Sequence, residues 1–218
     1  MIDNEILNTF KTVNEKFYGN SNSLHKLGLE AKKMEKFSSE KILNTLNLSN
    51  KEIIYTSSIS EAKALAVLGY LHKYQNKNKS IFVPENELDF YKTLLKDFVN
   101  EGLIIKTLNK NKIDKDTVLI ILSDDYTIDS NFVNTPILVT ITNIDKIKDY
   151  KQASFIVIDA KVVNALEGIT VLIKNKNIII EKLFHGGKSS TIYRSGTPAI
   201  PFIAAFSKAI TLMYKNNK

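Results

Sequence analysis

The chain has 218 residues, 44% of them hydrophobic, and a formal net charge of +7. That length and apolar content suit one buried core, and the lack of any cysteine excludes a disulfide framework, a zinc–thiolate site and thiol chemistry carried by these residues. The positive charge is scattered through Lys/Asn-rich stretches (76–79, 109–112, 174–177, 215–218), with Lys77, Lys79, Lys110 and Lys112 in evident loops, rather than clustered among aromatics, so a solvated face is expected and nucleic acid is not an expected partner.

The chain starts with Ile6, Phe10, Val13 and Phe17 at helical spacing, behind an acidic N-terminus unlike a secretory leader. No apolar run reaches the length of a membrane span, and a cytoplasmic location is expected. Residues 52–56, 80–83, 103–106, 117–122, 136–141 and 154–158 are β-branched runs apolar enough to be buried on both faces, which predicts a mainly parallel sheet covered by helices. Helical patterns lie between them at 62–71 and at Leu88, Tyr91, Leu95 and Phe98, and another follows Pro198. Residues 169–173 and 178–181 flank Lys174, Asn175, Lys176 and Asn177, which predicts a hairpin whose turn asparagines take positive φ. The fold class is α/β, a three-layer αβα arrangement in one domain over residues 1–218.

Ligands of such folds bind at the carboxyl ends of the strands, where loops lead into helix N-termini. After 52–56 come Ser57, Ser58, Ile59, Ser60 and Glu61, which read either as a phosphate cradle or as a plain cap, Ser58 and Glu61 having capping-box spacing. After 154–158 comes Lys161, a Schiff-base candidate or a surface lysine. Of 30 Lys+Arg residues only Arg194 is arginine, and its planar fork of donors suits a carboxylate or phosphate, so it marks an anion site. No metal site is expected.

Taken in order, Gly19-Asn20 with Ser23 and His25, then Thr56 to Ala62, then 116–120, then His185-Gly186-Gly187 with Arg194-Ser195-Gly196-Thr197, resemble the pyridoxal-phosphate-dependent cysteine desulfurases of class V aminotransferase type. The resemblance spans nearly the whole chain and implies the large, cofactor-binding domain of fold-type I enzymes, normally a homodimer with its active site at the subunit interface. The chain stops about where the family's small C-terminal domain, with its catalytic cysteine loop, begins.

Carried over residue by residue, the resemblance implies Ser60 in the place of the phosphate-binding threonine, with Ser58 and Ile59 replacing two glycines that admit the backbone to the phosphate. Glu85-Asn86 stands for a Glu-His pair whose histidine stacks on the pyridine ring. The region of Asp124-Asp125 stands for an Asn-Asn-Glu motif, and Thr140 for the aspartate that keeps the pyridine nitrogen protonated. Lys161 or Val162 falls on the Schiff-base lysine, Asp159 replacing the serine of that motif. Thr197 stands for a threonine that reaches the phosphate of the neighbouring subunit, and Arg194, with His25, belongs to the substrate or anion side. Ser189 and Ser190 replace a Gln-Glu pair.

The losses fall on chemistry while scaffold positions are kept. The expectation is a catalytically inactive, cysteine desulfurase-like protein linked to sulfur mobilisation in tRNA thiolation or iron–sulfur assembly, its pyridoxal phosphate site lost. Its expected partners are a second copy, an intact cysteine desulfurase or a sulfur acceptor. The alternative is a pyridoxal-phosphate enzyme using Lys161 for aminotransferase- or lyase-type chemistry on amino acids.

Overall fold

A computed structural model of the chain describes residues 2–74, 79–108, 113–129, 132, 134–186 and 192–216. Lys77, Lys110, Lys112, Ser189 and Ser190 therefore lie outside the described residues. The helices are α1 (Asn4–Lys16), α2 (Lys26–Thr45), α3 (Ile59–Tyr74), α4 (Leu88–Leu94), α5 (Lys96–Asn100) and α6 (Ile200–Asn216). The strands are β1 (Lys51–Thr56), β2 (Ser80–Val83), β3 (Ile104–Thr107), β4 (Thr117–Ser123), β5 (Ile137–Ile141), β6 (Phe155–Asp159) and β7 (Thr170–Asn175).

They form one seven-stranded sheet in the order β1-β7-β6-β5-β4-β2-β3, parallel from β6 across to β3, with β7 antiparallel to both neighbours. Alternation along each strand splits the core into two. Ile137, Val139, Ile141, Ile156 and Ile158 pack towards α1, α2 and α6, whereas Leu138, Phe155, Val157, Leu119 and Ile121 pack towards α3 and α4. This is the three-layer arrangement of an apolar sheet covered on both faces. Among the described residues no helix is long and apolar enough to cross a membrane.

The predicted hairpin at 169–181 does not form. Its first half is β7, but β7 already pairs with β6 on one side and β1 on the other, so no edge is left for 178–181. That segment instead crosses α3: Ile178 and Ile180 are buried in the α3-side core, and the Glu181 N–H donates to Gly69 O at 2.9 Å. A Cβ on Gly69 would lie 2.5 Å from Glu181 O, so glycine is what admits the crossing. Among the described residues the positive-φ asparagines are Asn47, Asn134 and Asn164, not those of the turn.

Helix α2 is the element that periodicity did not single out. Its N-terminal turn folds against the 17–25 loop so closely that a Cβ on Gly28 would stand 2.3 Å from Ser23 O. Ala31, Ile42 and Leu43 bury its inner face, alongside α6.

Candidate functional site

The carboxyl ends of the parallel strands converge on one rim, and there several donors are bonded to the chain's own carboxylates. At the end of β1, Ser58 is the cap: its Oγ accepts the Glu61 N–H at 3.2 Å. The Glu61 carboxylate folds back, one oxygen accepting the Ser57 N–H at 2.8 Å and the Ser57 hydroxyl at 2.6 Å. Its other oxygen accepts Arg194 Nε at 2.6 Å. Burial pushes the Glu61 carboxyl up, but the bonds from Arg194 and Ser57 and the Arg194 charge outweigh it and leave the pKa below its ordinary value of 4.5. Ser60 sits exposed in the first turn of α3.

At the end of β4, Asp124 is only 3% exposed. Its carboxylate accepts the Thr142 N–H (2.8 Å), the Thr142 hydroxyl (2.7 Å) and the Asn143 N–H (2.9 Å). Burial opposes its ionisation, and these bonds, with Lys146, prevail and lower its pKa. At the end of β6, Asp159 accepts the Lys161 N–H at 3.0 Å and the Thr170 hydroxyl at 2.6 Å, so the residue replacing the family's serine caps the short 3-10 helix Ala160–Val163. The Lys161 side chain is 70% exposed and pairs with Glu167 at 3.5 Å. Thr140 Oγ1 on β5 is buried without a hydrogen-bond partner.

Arg194 and Thr197 come together with Ser57 around a cavity of about 150 Å³, lined also by Glu35, Tyr55 and Thr56. Lys161, Ser60 and His25 are not among its lining residues. The Tyr55 phenol shares a 2.7 Å hydrogen bond with Ser39, and burial raises its pKa well above 10, so it stays neutral. His25 is exposed and caps α2, its Nδ1 accepting the Gly28 N–H at 3.3 Å. The segment before Arg194 is fastened at the sheet edge: Tyr193 OH donates to Glu52 at 3.2 Å, and the Lys174 ammonium, ion-paired with Glu52, lies 4.5 Å from the Tyr193 ring centre.

The residues missed from the sequence are Glu61 as an acceptor and the Glu52–Lys174–Tyr193 group. Capping-box spacing signalled the first. Nothing marked Lys174 among so many lysines.

A bound pyridoxal phosphate would need donors for its phosphate, an amine for its aldehyde and a partner for its pyridine nitrogen. Here Ser60 and Thr197 keep hydroxyls in the phosphate places, but the Lys161 amine is paired at the surface and Thr140 offers a neutral hydroxyl. As arranged, the amine and the pyridine partner do not fit the cofactor. Among the described residues, no group of three or more His, Asp or Glu side chains is placed to hold a metal ion.

The comparisons with known proteins agree with the architecture. The chain is 21% identical to the putative cysteine desulfurase NifS of Halalkalibacterium halodurans, over 94% of its own length and 62% of that protein's. It is 25% identical to the cysteine desulfurase IscS of Dictyoglomus turgidum, over 95% of itself and 60% of the relative. It thus spans about three-fifths of the length of these curated relatives. A solved NifS-like protein superposes with a TM-score of 0.84 at 21% identity, covering 99% of this chain and 67% of that one. DndA from Streptomyces lividans gives 0.79 at 18% identity, covering 99% and 70%. These structures share the fold, that of the large domain of fold-type I pyridoxal-phosphate transferases. The family model described as aminotransferase class-V matches residues 1–161, and with the sheet order and rim loops in place the chain belongs to the aminotransferase class-V family, resembling its cysteine desulfurases.

Proposed function

We propose that the chain serves sulfur mobilisation as a non-catalytic module, pairing with a second copy or an intact cysteine desulfurase, or docking a sulfur acceptor in tRNA thiolation or iron–sulfur assembly. The observation that carries this reading is at the rim: the Lys161 side chain is paired with Glu167 at the surface and does not line the cavity, and Thr140 offers no charge to a pyridine nitrogen. A desulfurase must also pass sulfur to a thiolate, and these 218 residues contain no cysteine. Tyr18, Leu24, Leu29 and Phe37, on the 17–25 loop and the outer side of α2, are exposed large hydrophobics of the kind a partner covers.

Size-exclusion chromatography with light scattering, and pull-down against a purified cysteine desulfurase and its sulfur acceptor, test the proposal. A stoichiometric complex, weakened when Leu24 and Phe37 are changed to serine, is expected. A chain that stays monomeric alone and associates with neither protein sinks it.

A further inference from the structure

We propose that the cavity between β1, α2 and α6 is a binding site for a small alkylammonium ion, the Glu35 carboxylate taking the ammonium and Ile169, Ile203, Pro198 and Ala199 enclosing the alkyl chain. Glu35 sits midway along α2 on the inward face, where Ala31, Ser38 and Ile42 are also buried, and only 8% of it is exposed, a place acids rarely take. It belongs to the floor of the cavity with Ile54, Thr56, Ile169 and Ile203, all buried, whereas Ser57, Gly168, Gly196, Thr197 and Ala199 are exposed and form the mouth. The floor lies behind β1, away from the turn that starts α3: Tyr55 packs against the core on the α1, α2 and α6 side, to which Ile169 and Ile203 belong, and neither Ser60 nor Lys161 is in the lining.

The sign of the ligand follows from where the hydrogens go. Ser39 Oγ donates to Glu35 O at 2.8 Å, and with its one hydrogen spent there it accepts from the Tyr55 phenol at 2.7 Å, which leaves the phenol oxygen an acceptor. Thr56 gives its hydrogen to Thr170 O and Ser58 O, and Ser57 gives both of its donors to Glu61. Burial, and after it the Glu35 charge, raise the Tyr55 pKa and keep the phenol neutral. Glu61 also accepts Arg194 Nε at 2.6 Å, so the guanidinium in the lining is met by a carboxylate outside it. Two carboxylates, Glu35 and Glu61, against the one guanidinium of Arg194 leave this group with a single negative charge. Walls whose hydrogens are spent and whose charge is negative suit a cation rich in donors, and a phosphate or carboxylate would meet the reverse.

The size and the remaining walls narrow the cation. A cavity of about 150 Å³ takes a molecule of benzene size, about six heavy atoms. The aliphatic sides reward a hydrocarbon body over a hydrated metal ion. Isopentylamine, a branched alkyl chain ending in an ammonium, matches both requirements.

Calorimetric titration of the full chain with isopentylamine, isopentanol and leucine tests the site. The amine is expected to bind at least about tenfold more tightly than the alcohol, which has the same body without the charge, and than leucine, whose added carboxylate meets a wall of acceptors. Glu35→Gln keeps the shape and should weaken the amine at least about tenfold, with loss of the amine-dependent rise in Tm, while leaving the alcohol unchanged. Ala199→Leu, which narrows the mouth, should weaken both. Equal binding of amine and alcohol marks an apolar hollow and overturns the proposal, as do tighter binding of leucine, no binding of the amine, and a folded Glu35→Gln variant that binds the amine as well as the native chain. The comparison of amine with alcohol needs only the native chain, so it stands even where Glu35→Gln fails to fold. None of these results depends on whether the chain associates with a desulfurase, and the two proposals fail separately.

Discussion

Strands β4, β5 and β6 present apolar side chains to both helical layers, and Ile120, Leu138, Val139, Phe155, Ile156 and Val157 have no exposed surface at all. At the β1–β7 edge of the same sheet the buried positions include Lys51 and Lys174, the second with no exposed surface. Lys174 is satisfied by Glu52, Ile178 O and Asn175 O, and Lys51 by Ala153 O and Asn175 Oδ1. The centre is held by non-directional burial, which tolerates exchange among apolar residues of similar volume. The edge is held by directional bonds, each needing a particular partner, and those bonds fix the Tyr193–Arg194 segment against β1 and α3.

The contrast can be broken most forcefully at the centre. Phe155→Ala removes a ring in edge contact with Tyr70 and should cost about 3–5 kcal/mol in denaturant unfolding. At the edge, Lys174→Ala leaves Glu52 and Ile178 O without their ammonium partner and should cost about 3 kcal/mol. Lys174→Met, which keeps the packing against Tyr193, should lose less.

Lys51 sharpens the comparison through pH. Burial lowers its pKa from 10.5 to about 8, so between these values the unfolded chain holds a proton that the folded chain has released. Stability should therefore rise from pH 8 towards 10, by roughly 2 kcal/mol, and Lys51→Met should flatten that rise. Urea unfolding at a series of pH values measures it. An apolar centre contributes no such slope.

Smaller effects are expected where the edge meets the rim. Arg194→Lys keeps the charge but loses the planar donor on Glu61, and should cost about 1 kcal/mol. Lys161→Ala should change stability by less than about 0.5 kcal/mol, its ion pair with Glu167 being solvent-exposed. Adding pyridoxal phosphate, reducing with borohydride and mapping peptides should show Lys161 modified no more than other surface lysines. Selective modification there would restore the alternative in which Lys161 carries amino-acid chemistry.

Much of the site was legible one residue at a time, but little of its arrangement was. The opposed readings of Ser57 to Glu61, phosphate cradle or cap, could not be separated in the sequence, because both need hydroxyls and a helix start. In the fold Ser58 caps α3 and Arg194 meets Glu61. The single arginine meets a carboxylate of the chain's own, Glu61. His25 carries an imidazole suited to a ligand, yet its position one residue before α2 turns it to the Gly28 amide.

Periodicity and β-branched runs determined the layers, because burial on two faces leaves a strand no polar alternation and that pattern is local. Composition determined the absence of thiol chemistry within these residues in the same direct way. Tertiary structure alone decided that β7 enters the sheet between β1 and β6, and so that 178–181 must leave it and cross α3. It alone decided which of so many lysines are buried and which acids face the rim donors. Those outcomes depend on which distant segments meet, and an ionic side chain reads the same in sequence whether its partner is water or a residue more than a hundred positions away.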